Sequence, residues 1–531
     1  MNGVIPDTLA AFSDFFGICV APGAAVRINA EVRDTEEFCY IEQLSRLSDE
    51  KYTLNIIKTG DGAEISIVAG GERGIFRGMF TAGRMLRGGL CECSVVDYPC
   101  FETRGYIEGF YGKPWSFAQR REMLLLMAAN HMNTYYYAPK DDEYHRRKWR
   151  EEYPEEQLAG LRSLVSCARG RCVDFHYCIA PGLSMKYCSQ EDFEALMKKT
   201  RQLYSAGVRF FGLLLDDIPE KLFFPEDEQR FSETVNAHIH IINKYYDALM
   251  ALDNGIKLTV CPMQYHGTGS EYYISKLSRS IPGGVSLFWT GRDICSRELT
   301  SREAIIFENS TLRRPRYWDN YPVNDAEMFN EMHLGPIIGR DADLYRFSDG
   351  IIANCMEYFE CSKIPLLTIA DYLWNSTAYS PQASWKNALA CVVGSEASET
   401  FTYFADHLFT SCLKDENSRI MNSVFSSASA CMSNGDIPGA FGCVTEYIDG
   451  MNACRELLWD CTPLFGELKK WSDKFSICVD ILNCLFEVLG SGEPEQRERL
   501  ANLIEIYDSL PARLTDFCLQ EAVNSILGTE E

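Results

Sequence analysis

Five uncharged residues, Phe211 to Leu215, run directly into Asp216 and Asp217. Two carboxylates at the end of an apolar run carry a desolvation cost unless something satisfies or uses them. Neighbours on a regular strand face opposite ways, but a backbone turn at the strand's end lets both reach one mouth. Close carboxylates push each other's pKa values apart. The pair is therefore expected to hold one protonated acid and one ionised group, a division of labour suited to breaking a glycosidic bond. Alone, such a pair reads more simply as a helix cap beside a solvated side chain; its place among other polar strand ends favours chemistry. Lys140 is a candidate donor to sugar hydroxyls, although a lysine beside Asp141 and Asp142 is in isolation a surface pair. Tyr111, Trp115, Tyr265, Trp289 and Trp318 offer flat apolar faces on which a sugar ring stacks. His266 is a candidate by residue type alone, has no partner group and is assigned a structural role.

These residues need a scaffold that gathers strand ends. Between Arg104 and Thr377, short apolar segments alternate with amphipathic ones: Gly105–Phe110, Asn133–Ala138, Val173–Ala180, Val208–Leu215, Lys257–Cys261, Val285–Thr290, Pro315–Asp319 and Gly350–Asn354. Eight such units over a stretch close to the usual roughly 250 residues predict a (β/α)8 TIM barrel, with its site at the C-terminal strand ends. The expected fold is α/β: a small α/β domain over 1–100, the barrel over 101–378 and a helical domain over 379–531. In the first part Ala25–Val32, Tyr52–Lys58 and Glu64–Val68 read as strands and Gly71–Leu86 as a helix. In the barrel, Ser116 stands as a cap before Phe117–Met132, which presents Met123, Leu126, Met127 and Asn130 on one face. In the last part Leu464, Leu468, Trp471, Phe475, Cys478, Leu482, Leu485 and Leu489 alternate spacings of four and three, predicting a packed seam that Gly490 stops. Gly528–Glu531 reads as a frayed tail.

Across all 531 residues, a hydrophobic share of 46% and a charged share of 24% are ordinary for chains with large cores. Lys plus Arg number 51 against 75 Asp plus Glu, and the resulting formal charge of −24 disfavours nucleic acid and anionic membranes as partners. The 22 cysteines are scattered without a Cys-x-x-Cys pair, and Cys178, Cys261 and Cys484 sit in apolar runs, which fits a reducing compartment. Met1 to Val26 lacks the form of a secretory signal and no uncharged run reaches the roughly 18 residues of a membrane span. A soluble, cytoplasmic protein is expected, or a secreted one had a leader been removed. Dinucleotide, Walker A, nucleophile-elbow and zinc-helix motifs are absent, and Cys91-x-Cys93 and His238-x-His240 lack a second pair. No cofactor and no metal are expected.

Five segments occur in order: RGYIEGFYGKPWSFAQR (Arg104 to Arg120), NTYYYAPKDD (Asn133 to Asp142), LLLDDI, WDNYPVND (Trp318 to Asp325) and NxMExxExSK (Asn354 to Lys363). Together they resemble glycoside hydrolase family 84 over the whole predicted barrel, and the flanking regions look like those of its bacterial members. Members are β-N-acetylglucosaminidases, including the O-GlcNAcases that remove single N-acetylglucosamine units from Ser and Thr of proteins. The resemblance implies a retaining, substrate-assisted mechanism in which the sugar's 2-acetamido oxygen attacks the anomeric carbon to give an oxazoline. It implies Asp217 as general acid and then base, and Asp216 as the group that holds and polarises the acetamido N–H. By the same resemblance Tyr265 meets the acetamido oxygen, Asn320 and Asn354 hold that group and nearby hydroxyls, and Asp325 binds O4 and O6. Lys140 and the Gly109 carbonyl bind around O3, Trp318 with Thr290 lines the acetamido pocket, and Tyr111 lies toward the leaving group.

Two positions depart from the family pattern: Cys355 after Asn354, which bears on the loop presenting that asparagine, and His266 after Tyr265, which bears on leaving-group preference. The implied partners are N-acetylglucosamine-containing glycans or glycoproteins; no oligomeric state is legible. Two alternatives stay open. A catalytically impaired carbohydrate-binding protein on the same barrel is opposed by the presence of both carboxylates, and a hyaluronidase-like hydrolase by the charge of −24.

Overall fold

The computed structural model of the chain describes residues 25–32, 49–59, 62–87, 92–414, 418–460, 462–491, 494–514, 519 and 521. Strands β1 (Ala25–Val32), β2 (Tyr52–Thr59), β3 (Gly62–Ala69) and β4 (Cys93–Asp97) form a sheet in the order β1-β3-β2-β4, with helix α1 (Glu72–Arg87) between β3 and β4 in the chain. Leu54, Ile56, Ile65 and Ile67 alternate along β2 and β3 and bury one face beneath Phe76, Met79 and Phe80 of α1. β4 has no counterpart in the sequence reading. It is a five-residue edge strand without a fully buried position, so its apolar signal is weak.

Eight parallel strands close the predicted barrel in chain order: β5 (Arg104–Glu108), β6 (Thr134–Tyr137), β7 (Asp174–Ile179), β8 (Phe210–Leu214), β9 (Lys257–Cys261), β10 (Val285–Trp289), β11 (Arg316–Asp319) and β12 (Ile351–Asn354). Helices fill the outer layer, from α2 (Phe117–Ala129) through α3 (Glu155–Arg169), α4 (Gln190–Ser205), α5 (Pro225–Phe231), α6 (Thr234–Leu252), α7 (Tyr272–Ser280) and α8 (Ser301–Thr311) to α9 (Phe359–Trp374). Ser116 caps α2 as expected: its hydroxyl accepts from Gln119 N, and the Gln119 side chain accepts from Ser116 N at 2.8 Å. The helix ends before the expected Met132 because the chain turns through His131 at φ +66°. Its buried stripe is Arg120, Met123, Leu124, Met127 and Ala128, so Leu126 falls at the edge rather than on the face.

Strands covered on both faces divide their residues between barrel interior and helix layer. One residue from each strand enters an apolar layer inside the barrel: Ile107, Tyr136, Cys178, Leu214, Cys261, Phe288, Trp318 and Ile352. Each large member of this plug contributes roughly 1.5–3 kcal/mol by leaving water.

A buried charge network fastens the N-terminal sheet to the bottom of the barrel. The Glu50 carboxylate accepts from Arg104 Nη2 at 2.7 and 2.8 Å, from Arg77 at 3.0 and 3.1 Å and from Asn133 Nδ2 at 3.1 Å. Burial alone raises the Glu50 pKa, but Arg104 and Arg77 outweigh it and pull it down to about 2. A depressed carboxylate contributes stability that is complete above its unfolded value near 4.5 and is lost as pH falls toward about 2. Glu50→Gln leaves two buried guanidinium groups without an anion and is expected to destabilise the protein by about 3–5 kcal/mol, measurable as a lower denaturant midpoint at neutral pH that converges with wild type in strong acid.

Beyond the barrel the chain is helical: α10 (Pro381–Val393), α11 (Ser395–Ala405), α12 (Arg419–Ser433), α13 (Ile437–Leu457), α14 (Pro463–Glu467), α15 (Lys469–Ser491) and α16 (Pro494–Ser509). The seam from Leu464 to Leu485 is buried as predicted but is divided between α14 and α15. Gly490 does not stop it, since α15 runs on to Ser491. An isolated glycine in a helix costs only about 1 kcal/mol, and Pro494 opens the next helix instead. The Leu489 side chain, most of the Met1–Val26 segment and the Gly528–Glu531 tail lie outside the described residues. No helix among the described residues is long and apolar enough to cross a membrane.

This helical part grips the long loop that follows β11. Trp385 Nε1 donates to Leu334 O at 2.7 Å, while Trp471 Nε1 and the Arg513 backbone N–H both donate to Asn330 O at 2.9 Å.

Candidate active site

Following the interior parity past each strand end, two residues at a time, leads from Ile107 to Gly109 and Tyr111, from Tyr136 to Lys140, and from Leu214 to Asp216. The same count leads from Cys261 to Tyr265, from Phe288 to Thr290, from Trp318 to Asn320 and from Ile352 to Asn354. All of these, with Asp217, Trp318 and Asp325, line one cavity of about 210 Å³ at the C-terminal mouth of the barrel. Trp115 and Trp289, expected as possible sugar walls, do not reach it. Trp115 is buried against Phe110 and Phe359, and Trp289, on the outward parity of β10, packs on Phe307 of α8. His266 lies beside the cavity, in a groove of about 810 Å³ that shares Asp217 and Tyr265 with it.

Asp216 keeps the interior parity of β8, whereas Asp217 would point away if the strand continued. It does not, because Asp217 takes a left-handed φ of +51°. That turn brings both carboxylates to the mouth. Lys140 Nζ bridges them, at 2.6 Å from Asp216 Oδ2 and 3.3 Å from Asp217 Oδ2. The Asp216 side chain is 7% exposed and that of Asp217 33%, so only the second is open to a leaving group or water. Asp216 Oδ1 is buried and has no hydrogen-bond partner. Asp217 accepts from Tyr111 Oη at 2.7 Å and from Tyr265 Oη at 3.4 Å.

The expectation that one of the two carboxyls stays protonated is not met at Asp217 in the free site. Burial raises its pKa, but the Lys140 charge, hydrogen bonds from Tyr111 and Lys140, and the Arg146 charge together bring it below the usual aspartate value. Burial likewise works against the Lys140 ammonium, yet the two aspartates raise its pKa on balance. A cation laid across both acids, absent from the paired-carboxylate argument, makes the difference.

The pocket wall is held by a chain of amides. Asn354 Oδ1 accepts from Gly109 N at 3.1 Å, Asn354 Nδ2 donates to Asn320 Oδ1 at 3.0 Å, and Trp318 Nε1 donates to the same oxygen at 2.9 Å. Asn320 Nδ2 in turn donates to Ile294 O at 2.8 Å. Cys355 is buried and its N–H donates to Ile107 O at 3.1 Å, so its departure from the family pattern leaves Asn354 in the cavity wall. Thr290 Oγ1 donates to Asp293 O at 2.7 Å, and Asp325 Oδ2 accepts from Tyr111 N at 2.8 Å. Burial pushes the Asp325 carboxyl up.

Gly109 has no room for a side chain, since a Cβ there would stand 2.3 Å from Trp318 Cζ2 and 2.9 Å from Asn354 Oδ1. Overpacking of this kind costs about 1–3 kcal/mol. Gly109→Ala is therefore expected to lower kcat/KM about tenfold through displacement of Trp318 and to lower the thermal transition by a few degrees. A glycoside assay beside a melting curve checks this.

Sequence reasoning missed Cys261, Ile294, Cys295, Val323, Ala326 and Met328, which also line the cavity. Cys261 was findable, since it shares the parity of Tyr265; the others sit on loops whose course no periodicity encodes. It also missed Arg146, whose guanidinium contacts Tyr111 and the Asp217 backbone. Among the described residues no group of three or more His, Cys, Asp or Glu is placed to hold a metal ion. His238, one of the weak metal candidates, is instead enclosed by the hydroxyls of Tyr187 and Tyr273.

A closed parallel barrel that brings adjacent carboxylates, a bridging lysine, an indole and a ladder of amides to one small cavity defines a barrel of the glycoside hydrolase class. The chain belongs to the beta-N-acetylglucosaminidase family, whose sequence model matches residues 104–406, more than half of its length. It is similar to the Protein O-GlcNAcase of Rattus norvegicus and to that of Mus musculus, each 32% identical over 274 residues. That match takes in 50% of this chain and 29% of each relative, so the chain matches under a third of the length of those proteins. Among solved structures, a mutant of the Thermobaculum terrenum O-GlcNAc hydrolase is 30% identical with a TM-score of 0.76, covering 81% of this chain and 95% of that one. CpGH84B is 28% identical with a TM-score of 0.81, covering 93% and 89%.

Proposed function

We propose that the chain is a retaining exo-β-N-acetylglucosaminidase that uses its substrate's 2-acetamido group as nucleophile. Its proposed substrates are O-GlcNAc-modified glycoconjugates, including proteins that carry the single sugar on Ser or Thr. The observation that carries this reading is the buried, unpartnered Oδ1 of Asp216 in the cavity wall. A buried acceptor left without a donor is costly. An acetamido N–H supplies the donor at the place where positive charge builds as the acetamido oxygen attacks C1.

In the first step that oxygen bonds to C1 while the bond from C1 to the leaving oxygen breaks, and Asp217 passes its proton to the leaving oxygen. The product is the protonated oxazoline, an oxazolinium ion, whose N–H faces the Asp216 carboxyl. In the second step the Asp217 carboxylate takes a proton from water, the water oxygen bonds to C1, and the ring reopens with the β configuration kept. The low resting pKa of Asp217 suits the second step. For the first, a sugar hydroxyl that engages Lys140 weakens the ammonium's hold on Asp217, and exclusion of water acts in the same direction.

The small cavity, with room for one sugar unit, supports exo action. The similarity to a Protein O-GlcNAcase and to an O-GlcNAc hydrolase supports O-linked N-acetylglucosamine as the substrate. The test is hydrolysis of an aryl β-N-acetylglucosaminide followed by proton NMR, with the β anomer of N-acetylglucosamine expected first. Initial release of the α anomer would rule out the double displacement. Binding of N-acetylglucosamine without turnover would leave a carbohydrate-binding protein.

A further inference from the structure

Arg146 lies in the turn segment after β6, outside the cavity but in contact with two parts of its acid. Its Nη1 donates to Tyr111 Oη at 3.0 Å, and its Nη2 donates to the Asp217 backbone carbonyl at 3.4 Å. The guanidinium also stands 5.5 Å from the centre of the Tyr111 ring, within range of a cation–π contact. The segment is fixed from below, because the adjacent His145 is buried with Nδ1 donating to Cys178 O at 2.7 Å.

We propose that Arg146 is a positioning residue for Asp217, holding its backbone with one nitrogen and, with the other, fixing Tyr111 as a one-way hydrogen-bond donor to the Asp217 carboxylate. The inference rests on the reading of Asp217 as acid and base. Two facts of bonding carry it. A guanidinium can only donate, and a phenol has a single proton. With its oxygen occupied by Arg146 as acceptor, Tyr111 has its proton left for Asp217 Oδ2, 2.7 Å away. The backbone grip falls on a non-glycine residue at φ +51°, a conformation that persists only when its surroundings hold it.

A fixed donor favours the carboxylate, the form that activates water in the second step, and opposes the protonated form used in the first. The other groups that act on Asp217 from the cavity side are Lys140, Tyr265, Asp216, Cys261 and Asp325, and the groove side presents Glu220, Glu233, Glu271 and His266. None of them meets Tyr111 Oη as a hydrogen-bond donor, the contact that Arg146 makes.

Arg146→Gln should let Asp217 keep its proton to higher pH. The alkaline limb of kcat/KM for a substrate with a poor leaving group is expected to move up by about one pH unit. On an activated aryl substrate, where the second step limits, kcat falls while KM falls with it. Arg146→Lys, which keeps the charge without the two-pronged grip, should give an intermediate limb. In a Tyr111→Phe background Arg146→Gln should shift the limb much less, by the direct charge effect on Asp217 alone. An unshifted limb, with equal loss on both substrates, overturns the proposal, as does a full shift that persists without the Tyr111 hydroxyl.

Infrared titration of the Asp217 carboxylate, isolated as the difference from Asp217→Asn, reads the same effect without turnover. A wild-type protein inert on aryl glycosides whose carboxylate still moves in Arg146→Gln defeats the hydrolase reading and keeps the clamp. An active wild type with an unmoved carboxylate defeats the clamp alone.

Discussion

Asp217→Asn is expected to hydrolyse alkyl- or serine-linked substrates about 10²–10⁴ times more slowly than wild type, while kcat/KM for activated aryl glycosides changes little. Asparagine has the size of the acid and can still accept from Tyr111 and Lys140, which lie 2.7 and 3.3 Å from Asp217 Oδ2. What it lacks is the proton. A poor leaving group needs that proton as its bond to C1 breaks; an activated phenolate departs without it. The oxazoline then waits for a base that is no longer there, so kcat on the aryl substrate drops together with KM. The pH profile gives a second check. With the Asp217 pKa held below the ordinary aspartate value, fewer free molecules carry the acid as pH rises, so wild-type kcat/KM on poor leaving groups declines with rising pH already from below that ordinary value. That limb should be missing in Asp217→Asn. Equal loss on both classes of substrate would refute the assignment.

Asp216→Asn should cost about 10²–10³ in kcat on both classes. The acetamido oxygen has to attack whatever the leaving group is, and the negative charge that steadies the developing cation comes from Asp216. A side effect sharpens the test. Lys140 loses the anion 2.6 Å away and keeps only Asp217 as a counter-charge, so Asp217 is pulled further toward the carboxylate and poor leaving groups suffer somewhat more. Steady-state kinetics on paired aryl and alkyl glycosides separate the two outcomes. A loss that scaled with leaving-group quality as steeply as in Asp217→Asn would mean that the two carboxylates share one task.

The barrel was legible because strands buried on both faces read as unbroken apolar runs, and FGLLL leading into a pair of aspartates marks both a strand and its end. The site residues were legible through their place after those runs and through the family motifs. Aromatic type alone misled at Trp115 and Trp289; strand parity, counted from Phe288, would have sent Trp289 outward. Arg146 had no signal, since it lies in an irregular turn and acts through a tyrosine that is 35 positions away in sequence. The state of Asp217 was misjudged because the electrostatics of two carboxylates were weighed without the lysine from the end of β6, two strands away from β8. Gly490 misled because a helix ends where its next residues find better partners, which local composition does not reveal.

The loop after β11 carries Asn320 and Asp325 into the cavity, yet its outer side is fastened by Trp385, Trp471 and Arg513, and the Asn320 carbonyl accepts from Cys412 Sγ at 3.5 Å. Among the described residues the helical part contributes no side chain to the cavity, but it sets the position of one wall. Warming that loosens α10 or α15 first would let the sugar slip while β5 to β12 still keep their ladder, so the enzyme would go blind before it melts.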